Sequence, residues 1–316
     1  MTNAKVEIQD GAREALLSLL SLAYLLATVL YGVILSGETA DMMLSGMELA
    51  VRSVIPSSFP FMIISDLYVS YGSPERIAPL RKFAARVLGI PPSALGAMVC
   101  GNVGGFPIGA RLTAELYRNG EIDATSAHRL TALSSNPSVA FVIGAVGLGM
   151  YSDIRVGIIL LISLYISTCL CALITKSNAC DFIYSNDNAR QNYSFVASVK
   201  NAGMSCIGVI SFISIFSVAI GLIKNHLPSR MLSYIVTAFL EVTSAANAFS
   251  DSAVFPLAPS LALTAFSLGF GGICVMMQNA VFTEGCGLGL KKYIPIKLLE
   301  GAICSALASV LSLIII

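Results

Sequence analysis

The sequence is poor in charged residues. Only 12% of its 316 residues are Asp, Glu, Lys or Arg, and 56% are hydrophobic, whereas a soluble domain carries roughly 25% charged residues. Because a surface that faces water needs polar groups, most of this protein's surface must face another environment. The net charge of +1 also provides no basic field that would attract a nucleic acid. We therefore expect a membrane protein whose partners are the lipid bilayer and a small-molecule solute, and no nucleic acid.

Residues that build catalytic and metal centres are also scarce. Trp is absent, and the two histidines, His128 and His226, lie far apart in the sequence. None of the eight cysteines belongs to a CxxC pair, and most lie in apolar runs, where Cys behaves as a small hydrophobic residue. The P-loop, HExxH and GxSxG motifs are missing. These absences predict a protein that is no enzyme, holds no metal or other cofactor and is not itself an ATP-driven pump.

Apolar runs of roughly 20 residues, the length of a transmembrane helix, recur along the chain. The first, 16–36, predicts an N-terminal transmembrane helix, because its mixed-charge lead does not resemble a signal peptide. The other runs are 54–71, 138–150, 156–175, 204–223, 231–249, 261–282 and 294–316. The predicted fold class is therefore an all-α polytopic membrane protein of about eight membrane segments. For the segment 229–250, both a spanning and an interfacial position are open.

Three segments of the chain are interrupted by Gly or Pro. Segment 101–111 holds four glycines and a proline, 134–138 contains Asn136-Pro137, and 269–272 contains three glycines. These residues do not continue a regular helix. Broken helices at membrane depth are tolerated only where they are buried in protein or line a polar cavity. We therefore expect the three breaks to meet near the bilayer midplane.

The two Gly-Gly pairs suggest an internal repeat. An offset of 167 residues places Gly104-Gly105 on Gly271-Gly272, and it predicts inverted repeats with glycine-broken helical hairpins near 92–118 and 259–285. Such repeats are typical of secondary transporters, whose binding sites lie at the matched breaks. The predicted organisation is an N-terminal transmembrane helix at 1–37, a first repeat at 38–150, a connecting transmembrane helix and polar loop at 151–200, and a second repeat at 201–316.

Polar residues at the breaks are the candidate binding site. A helix that starts near Pro107 presents N–H groups to an anion, and Arg111 follows about one turn later. The alternative is a glycine hinge for close packing, with Arg111 paired to Glu115. Gln278 and Asn279 either bind the solute or hold helices together. The predicted substrate-binding residues are Asn102, Gly104, Gly105, Arg111, Ser134, Ser135, Asn136, Gly271, Gly272, Gln278 and Asn279.

A second group of candidates lies in the run 231–249. A carboxylate inside an apolar span indicates proton or cation coupling, or a partner for a buried arginine. The alternative is that the span ends near Glu241 and leaves this acid among the lipid headgroups. The predicted coupling or gating residues are Glu241, Thr243, Ser244 and Asn247.

Four segments together resemble a known family: PSSFPFMIIS at 56–65, GNVGGFPIGAR at 101–111, LSSNPS at 133–138 and LGFGG at 268–272. From about residue 42 to its end, the chain is similar to the YlbJ-type (SpoVV-like) sporulation integral membrane proteins. That family belongs to the gate, or nucleoside-recognition, superfamily related to concentrative nucleoside transporters.

The resemblance implies transport of dipicolinic acid during endospore formation, by an integral protein of the cell membrane, here the mother-cell-derived outer forespore membrane. A planar dicarboxylate suits an arginine and helix N-termini. The alternatives are a nucleoside or another carboxylate as the solute, and a non-transporting assembly factor of the spore envelope. Both a monomer and a homo-oligomer are open.

Overall fold

The computed structural model describes residues 36–71, 79, 82, 84–176 and 194–315, and this part of the chain is helical, without a β-strand. The all-α class is therefore confirmed. The predicted first transmembrane helix at 16–36, apart from its last residue, and most of the polar loop at 178–200 lie outside the described residues. Five helices in the described part are long and apolar enough to cross a membrane: Gly37–Leu67, Ile154–Ile174, Phe195–His226, Leu257–Thr283 and Leu290–Ile314. The count of about eight segments stays a prediction.

Both halves of the described chain have the same order of elements: a long helix, a helical hairpin, an interrupted helix and a second long helix. In the first half these are α1 (Ser36–Leu49), which continues through a π-helical turn (Ala50–Val54) into α2 (Ile55–Tyr71), then α3 (Leu95–Gly104), α4 (Ile108–Arg118), α5 (Ala124–Leu133), a π-helical segment (Phe141–Met150) and α6 (Ile154–Ile174). In the second half they are α7 (Phe195–His226), α8 (Arg230–Leu240), α9 (Val242–Phe249), α10 (Leu257–Phe270), α11 (Gly272–Thr283) and α12 (Leu290–Ile315). Short turns at Ala84–Leu88 and Pro92–Ala94 lead into α3.

The first predicted hairpin is present, but the second lies elsewhere. Helices α3 and α4 pack against each other, and so do α8 and α9 on either side of Glu241. By contrast, α10 and α11 do not pack side by side; together they form one long apolar helix interrupted at Gly271. The prediction of a hairpin near 259–285 is therefore wrong. The hairpin of the second half is α8–α9, and Glu241 and Gly271 lie 136 residues after Gly105 and Ser135.

The reason for this error is the way in which α9 begins. The backbone of Glu241 is extended, and its own carboxylate accepts the N–H groups of Thr243 and Ser244. A capping side chain of this kind satisfies the exposed donors of a new helix, so the chain needs neither Gly nor Pro to start one. The sequence therefore contains no helix breaker at this hairpin. The inverted relation of the two halves stays a prediction.

The long helices form the frame of the protein. Helices α1 and α2 pack on α7, while α12 packs on α6 and α10. On α6, Ile158, Ile162 and Ile166 are exposed at a spacing of four residues, whereas Leu160 and Leu164 are fully buried. One face of the helix therefore carries large apolar side chains outward, as a lipid-facing surface requires, and the opposite face forms the core.

A close approach of backbones holds the first hairpin against α5. A Cβ atom added to Gly109 would collide with the carbonyl group of Ser134, and one added to Gly101 would meet the same oxygen. Only glycine allows two helices to approach this closely. These two glycines therefore allow α3 and α4 to pack closely against the C-terminal end of α5, just before the break at Asn136-Pro137.

Candidate functional site

The helix interruptions lie together. The N–H of Phe106, at the tip of the first hairpin, donates to the carbonyl oxygen of Asn136 in the second break, at 2.9 Å. A narrow crevice joins these two breaks to Thr243, at the tip of the second hairpin. At the fourth break, a Cβ on Gly272 would lie 3.0 Å from the carbonyl oxygen of Leu240. The three predicted breaks and the one at Glu241 thus form a continuous set of contacts; their depth in the bilayer stays a prediction.

Backbone groups freed by the break after α5 have partners inside the protein. Pro137 has no N–H, so it makes no helical bond to the carbonyl of Leu133, and that oxygen accepts instead from the side-chain amide of Asn102 at 3.0 Å. The carbonyl of Asn136 is taken by Phe106. Because lipid offers no hydrogen bonds, each polar backbone group at such a break needs a partner of this kind.

The carbonyl of Ser135 accepts from Lys297, a lysine on α12. Its Nζ lies 3.0 Å from that oxygen, 2.7 Å from Asn136 Oδ1 and 2.8 Å from Glu300 Oε2. The side chains of Lys297 and Glu300 are both 0% exposed. An ammonium group has three N–H donors, so every one of them has an acceptor.

Glu300 and Asn136 extend this arrangement into a network across four elements. Glu300 Oε1 accepts from the Thr168 hydroxyl of α6 at 2.5 Å. The Asn136 amide donates to the same hydroxyl at 2.9 Å and to Asn102 Oδ1 at 2.7 Å. Asn136 therefore connects the break after α5 to the first hairpin, to α6 and to α12. We call Asn102, Asn136, Thr168, Lys297 and Glu300 the polar network.

Two neighbouring amides on α11 have different surroundings. Asn279 Nδ2 donates to Ser135 Oγ at 3.0 Å and to the Tyr293 hydroxyl at 3.1 Å, next to the polar network. Gln278 lines a cavity instead, and its Nε2 lies 3.3 Å from Cys274 Sγ. Within the described ranges, Gln278 Oε1 and Asn279 Oδ1 have no hydrogen-bond partner, although both residues are almost fully buried.

The cavity has a volume of about 580 Å³ and lies between α4, α7 and α11. This volume is in the range of small-molecule sites, roughly 300–1,000 Å³. Its lining includes the polar residues Arg111, Glu115, Arg118, Asn119, Asn201, Ser205 and Gln278, together with apolar groups such as Phe212 and Val281. Arg118 ties α4 to the end of α11 by donating to the carbonyl oxygens of Phe282 and Glu284, at 2.9 and 3.2 Å.

Arg111 at the cavity wall forms an ion pair with Asp66 of α2, whose side chain is 2% exposed. Asn201 of α7 donates to the other oxygen of the same carboxylate at 3.3 Å. Asp66 is a partner of Arg111 that the sequence analysis missed. The pair connects the first hairpin to α2 and holds a guanidinium group at the wall of the cavity.

Glu241 is buried, with 1% of its surface exposed; its depth in the bilayer stays a prediction. Its two oxygens accept the N–H groups of Thr243 at 2.8 Å and Ser244 at 2.6 Å. The carboxylate therefore caps α9. Asn247, predicted to act with it, is exposed.

The predicted site residues thus fall into separate groups. Arg111 and Gln278 line the cavity. Asn102, Ser135, Asn136 and Asn279 belong to or border the polar network. Gly104 packs against Ile108 and Ser65, Gly105 against Ser138, Ser134 against the two hairpin glycines, and Gly271 and Gly272 form the last break.

Sequence reasoning missed several residues that the structure brings to the site. Lys297 and Glu300 had a detectable signal, because two opposite charges three residues apart in the apolar run 294–316 lie on one helix face. Asp66 had a similar signal as a carboxylate in the run 54–71. Thr168 and Tyr293 had none, since a hydroxyl in an apolar helix is ordinary.

Comparison with known proteins points in the same direction as the sequence motifs. The chain is similar to the sporulation integral membrane protein YlbJ of Bacillus subtilis (strain 168), with 22% identity over 301 residues that cover 81% of this chain and 73% of the relative. No family model and no solved structure matches the chain. The similarity and the apolar helices support an integral membrane protein of the sporulation type; the link to nucleoside transporters stays a prediction.

Proposed function

We propose that this protein is a membrane carrier for a small carboxylate solute, with dipicolinic acid as the expected solute during endospore formation. The observation that carries the proposal is the cavity between α4, α7 and α11, whose wall combines the Arg111 guanidinium with the buried Gln278 amide. A guanidinium group recognises a carboxylate through paired N–H donors. The sporulation relative supports the biological setting.

The unpartnered amide of Gln278 favours a ligand over simple packing. Gln278 is 3% exposed, and one end of its amide has no partner in the described part of the chain. A glutamine amide has a donor at one end and an acceptor at the other, so either orientation of the group leaves one polar end without a partner in the described part of the chain. An unsatisfied buried polar group costs about 1–3 kcal/mol. In the proposal, the amide turns its N–H end into the cavity and donates to the carboxylate of the solute, which offsets that cost.

The interrupted helices favour a carrier over a static binding protein. Arg111 stands on the half-helix that follows the Gly105 break, and Gln278 stands on the half-helix that follows the Gly271 break. Movement at either break would therefore move one wall of the cavity relative to the other. In the proposal, the two halves are inverted repeats, and their alternating arrangement exposes the cavity first to one side of the membrane and then to the other.

The test is uptake of labelled dipicolinate into vesicles that contain the purified protein and unlabelled dipicolinate inside. Wild-type protein should exchange the label, and pyridine-2-carboxylate should compete better than uridine, since it keeps one carboxylate on the same ring. A failure of well-folded wild-type protein to exchange any of these solutes would reject the carrier, and it would leave the assembly-factor alternative.

A matched pair of variants then tests the cavity. Gln278→Leu removes the polar amide and keeps the side chain's approximate size, so the half-saturating dipicolinate concentration should rise about tenfold, the equivalent of 1.4 kcal/mol. Val281→Ala shortens an apolar side chain on the same wall. This variant should change the half-saturating dipicolinate concentration less than about twofold. Equal effects of the two variants would place the solute elsewhere.

A further inference from the structure

The ammonium group of Lys297 lies in a cage of oxygens of three kinds. The backbone carbonyl of Ser135, the side-chain amide of Asn136 and the carboxylate of Glu300 approach it to 3.0, 2.7 and 2.8 Å. Carbonyl, amide and carboxylate oxygens are also the ligands that hard metal cations select in proteins. An ammonium ion and K⁺ have nearly the same size, so an oxygen cage built for one has suitable distances for the other.

Two features distinguish this cage from an ordinary ion pair on one helix. First, two of its three oxygens come from the break after α5, and a backbone carbonyl such as that of Ser135 is available only because the helix stops there. Second, the remaining atoms of the cage residues are fixed by further bonds: Asn136 Nδ2 to Asn102 and Thr168, and Glu300 Oε1 to Thr168. The oxygens are therefore held in place independently of the lysine.

We propose that Lys297 acts as a tethered cation: its ammonium group occupies a monovalent-cation site formed by the break after α5 and by α12, and it replaces a free K⁺ ion there. Lys297 and Glu300 are the charged members of the polar network, so the occupied site is neutral. Removal of the lysine leaves three converging oxygens, one of which belongs to the buried Glu300 carboxylate. These oxygens would be the protein ligands of a free monovalent cation, and water would supply the others.

Thermal unfolding in different salts tests whether a free cation can replace the Lys297 ammonium group. The protein has no Trp, but Cys274 and Cys304 are fully buried, so unfolding of the purified protein can be followed with a thiol-reactive dye. Wild-type protein should have the same unfolding midpoint in chloride salts of K⁺, NH₄⁺ and choline at equal ionic strength. Lys297→Ala should have a lowered midpoint in choline, and K⁺ or NH₄⁺ should raise it in a saturable way.

Two control variants show whether the ion enters this cage. Lys297→Met fills the same space with an apolar chain, so its midpoint should not respond to K⁺ or NH₄⁺. Lys297→Ala combined with Glu300→Gln lacks the buried charge that attracts the cation, and it should also not respond. A response of either control equal to that of Lys297→Ala would overturn the assignment of the site.

Other outcomes also overturn the proposal. One is an equal midpoint of Lys297→Ala in K⁺ and choline. Another is stabilisation of the wild-type protein itself by K⁺ but not choline, since the ammonium would then not be filling the site. Because cytoplasm is rich in K⁺, the proposal also requires Lys297→Ala to accumulate folded in the membrane of expressing cells, and its absence there would contradict it.

A consequence for transport rests on the proposed function. A carrier with a tethered cation needs no free monovalent cation at this site, so exchange of dipicolinate by the wild-type protein should be independent of K⁺, whereas exchange by Lys297→Ala should require it. The thermal experiment does not involve a solute. A protein that passes the thermal test and transports nothing would reject the carrier and keep the cation site.

Discussion

Variants of the ion pair between Arg111 and Asp66 show whether Arg111 stabilises the fold, binds the solute, or does both. Truncation of one partner of a buried ion pair costs about 3–5 kcal/mol, because the other charge is left buried without it. Asp66 is 2% exposed and Arg111 17% exposed, and Asn201 also donates to Asp66 at 3.3 Å, which gives the carboxylate a second partner. We therefore expect the lower end of that range for Arg111→Ala, about 3 kcal/mol of the free energy of unfolding.

The loss of unfolding free energy caused by Arg111→Ala should depend on whether Asp66 is present. In an Asp66→Asn background Arg111→Ala leaves no orphaned carboxylate, so it should cost only about 1.5 kcal/mol, the lower value for a hydrogen bond with one charged partner. The difference, about 1.5 kcal/mol, is the coupling energy of the pair. Unfolding in mixed micelles with increasing dodecyl sulfate, followed by the thiol-reactive dye, measures all four proteins. An Arg111→Ala cost that is the same in both backgrounds would refute the stabilising pair.

Transport by the folded variants tests the binding role. Arg111→Lys keeps the charge but loses the paired-donor fork, so it should remain folded and exchange dipicolinate much more slowly. Truncation of a desolvated charged contact commonly costs about 2–5 kcal/mol, and Arg111→Ala should nearly abolish exchange. Glu115→Gln, on the same helix and the same cavity, should leave abundance and exchange largely intact. Full exchange by a folded Arg111→Ala protein would remove Arg111 from the solute site.

Two further predictions concern the backbone around the breaks. Glu241→Ala should lower the free energy of unfolding by about 2 kcal/mol, the upper range for a lost helix cap. Glu241→Gln keeps one acceptor oxygen, so it should lower the free energy of unfolding by about half as much. Equal losses for the two variants in the dodecyl sulfate titration would argue against the cap. Gly109→Ala should reduce the amount of folded protein in the membrane strongly, because the new Cβ would collide with Ser134. Gly203→Ala, which meets no atom within 4 Å, should be tolerated, and a folded Gly109→Ala protein would show that the hairpin can move away from α5.

The sequence by itself determined the class of protein and three of the places where its helices stop. Low charge and long apolar runs require a membrane environment whatever the fold, because the cost of exposing them to water is a property of the residues. The breaks at Gly105, Asn136-Pro137 and Gly271 were likewise predictable, since glycine and proline act on their own backbone and on the residue beside them. Local chemistry of this kind needs no knowledge of neighbours in space.

Only the tertiary structure decided which of these breaks reverses the chain and which polar groups meet. The hairpin at Glu241 depends on a side chain that caps its own helix, and the sequence does not distinguish that carboxylate from an interfacial one. Arg111 pairs with Asp66, 45 residues away in the sequence, and Lys297 donates to the Ser135 carbonyl, 162 residues away. In a membrane each of these groups must have an internal partner, so the need for a partner is readable from the sequence, whereas its identity depends on how the helices pack.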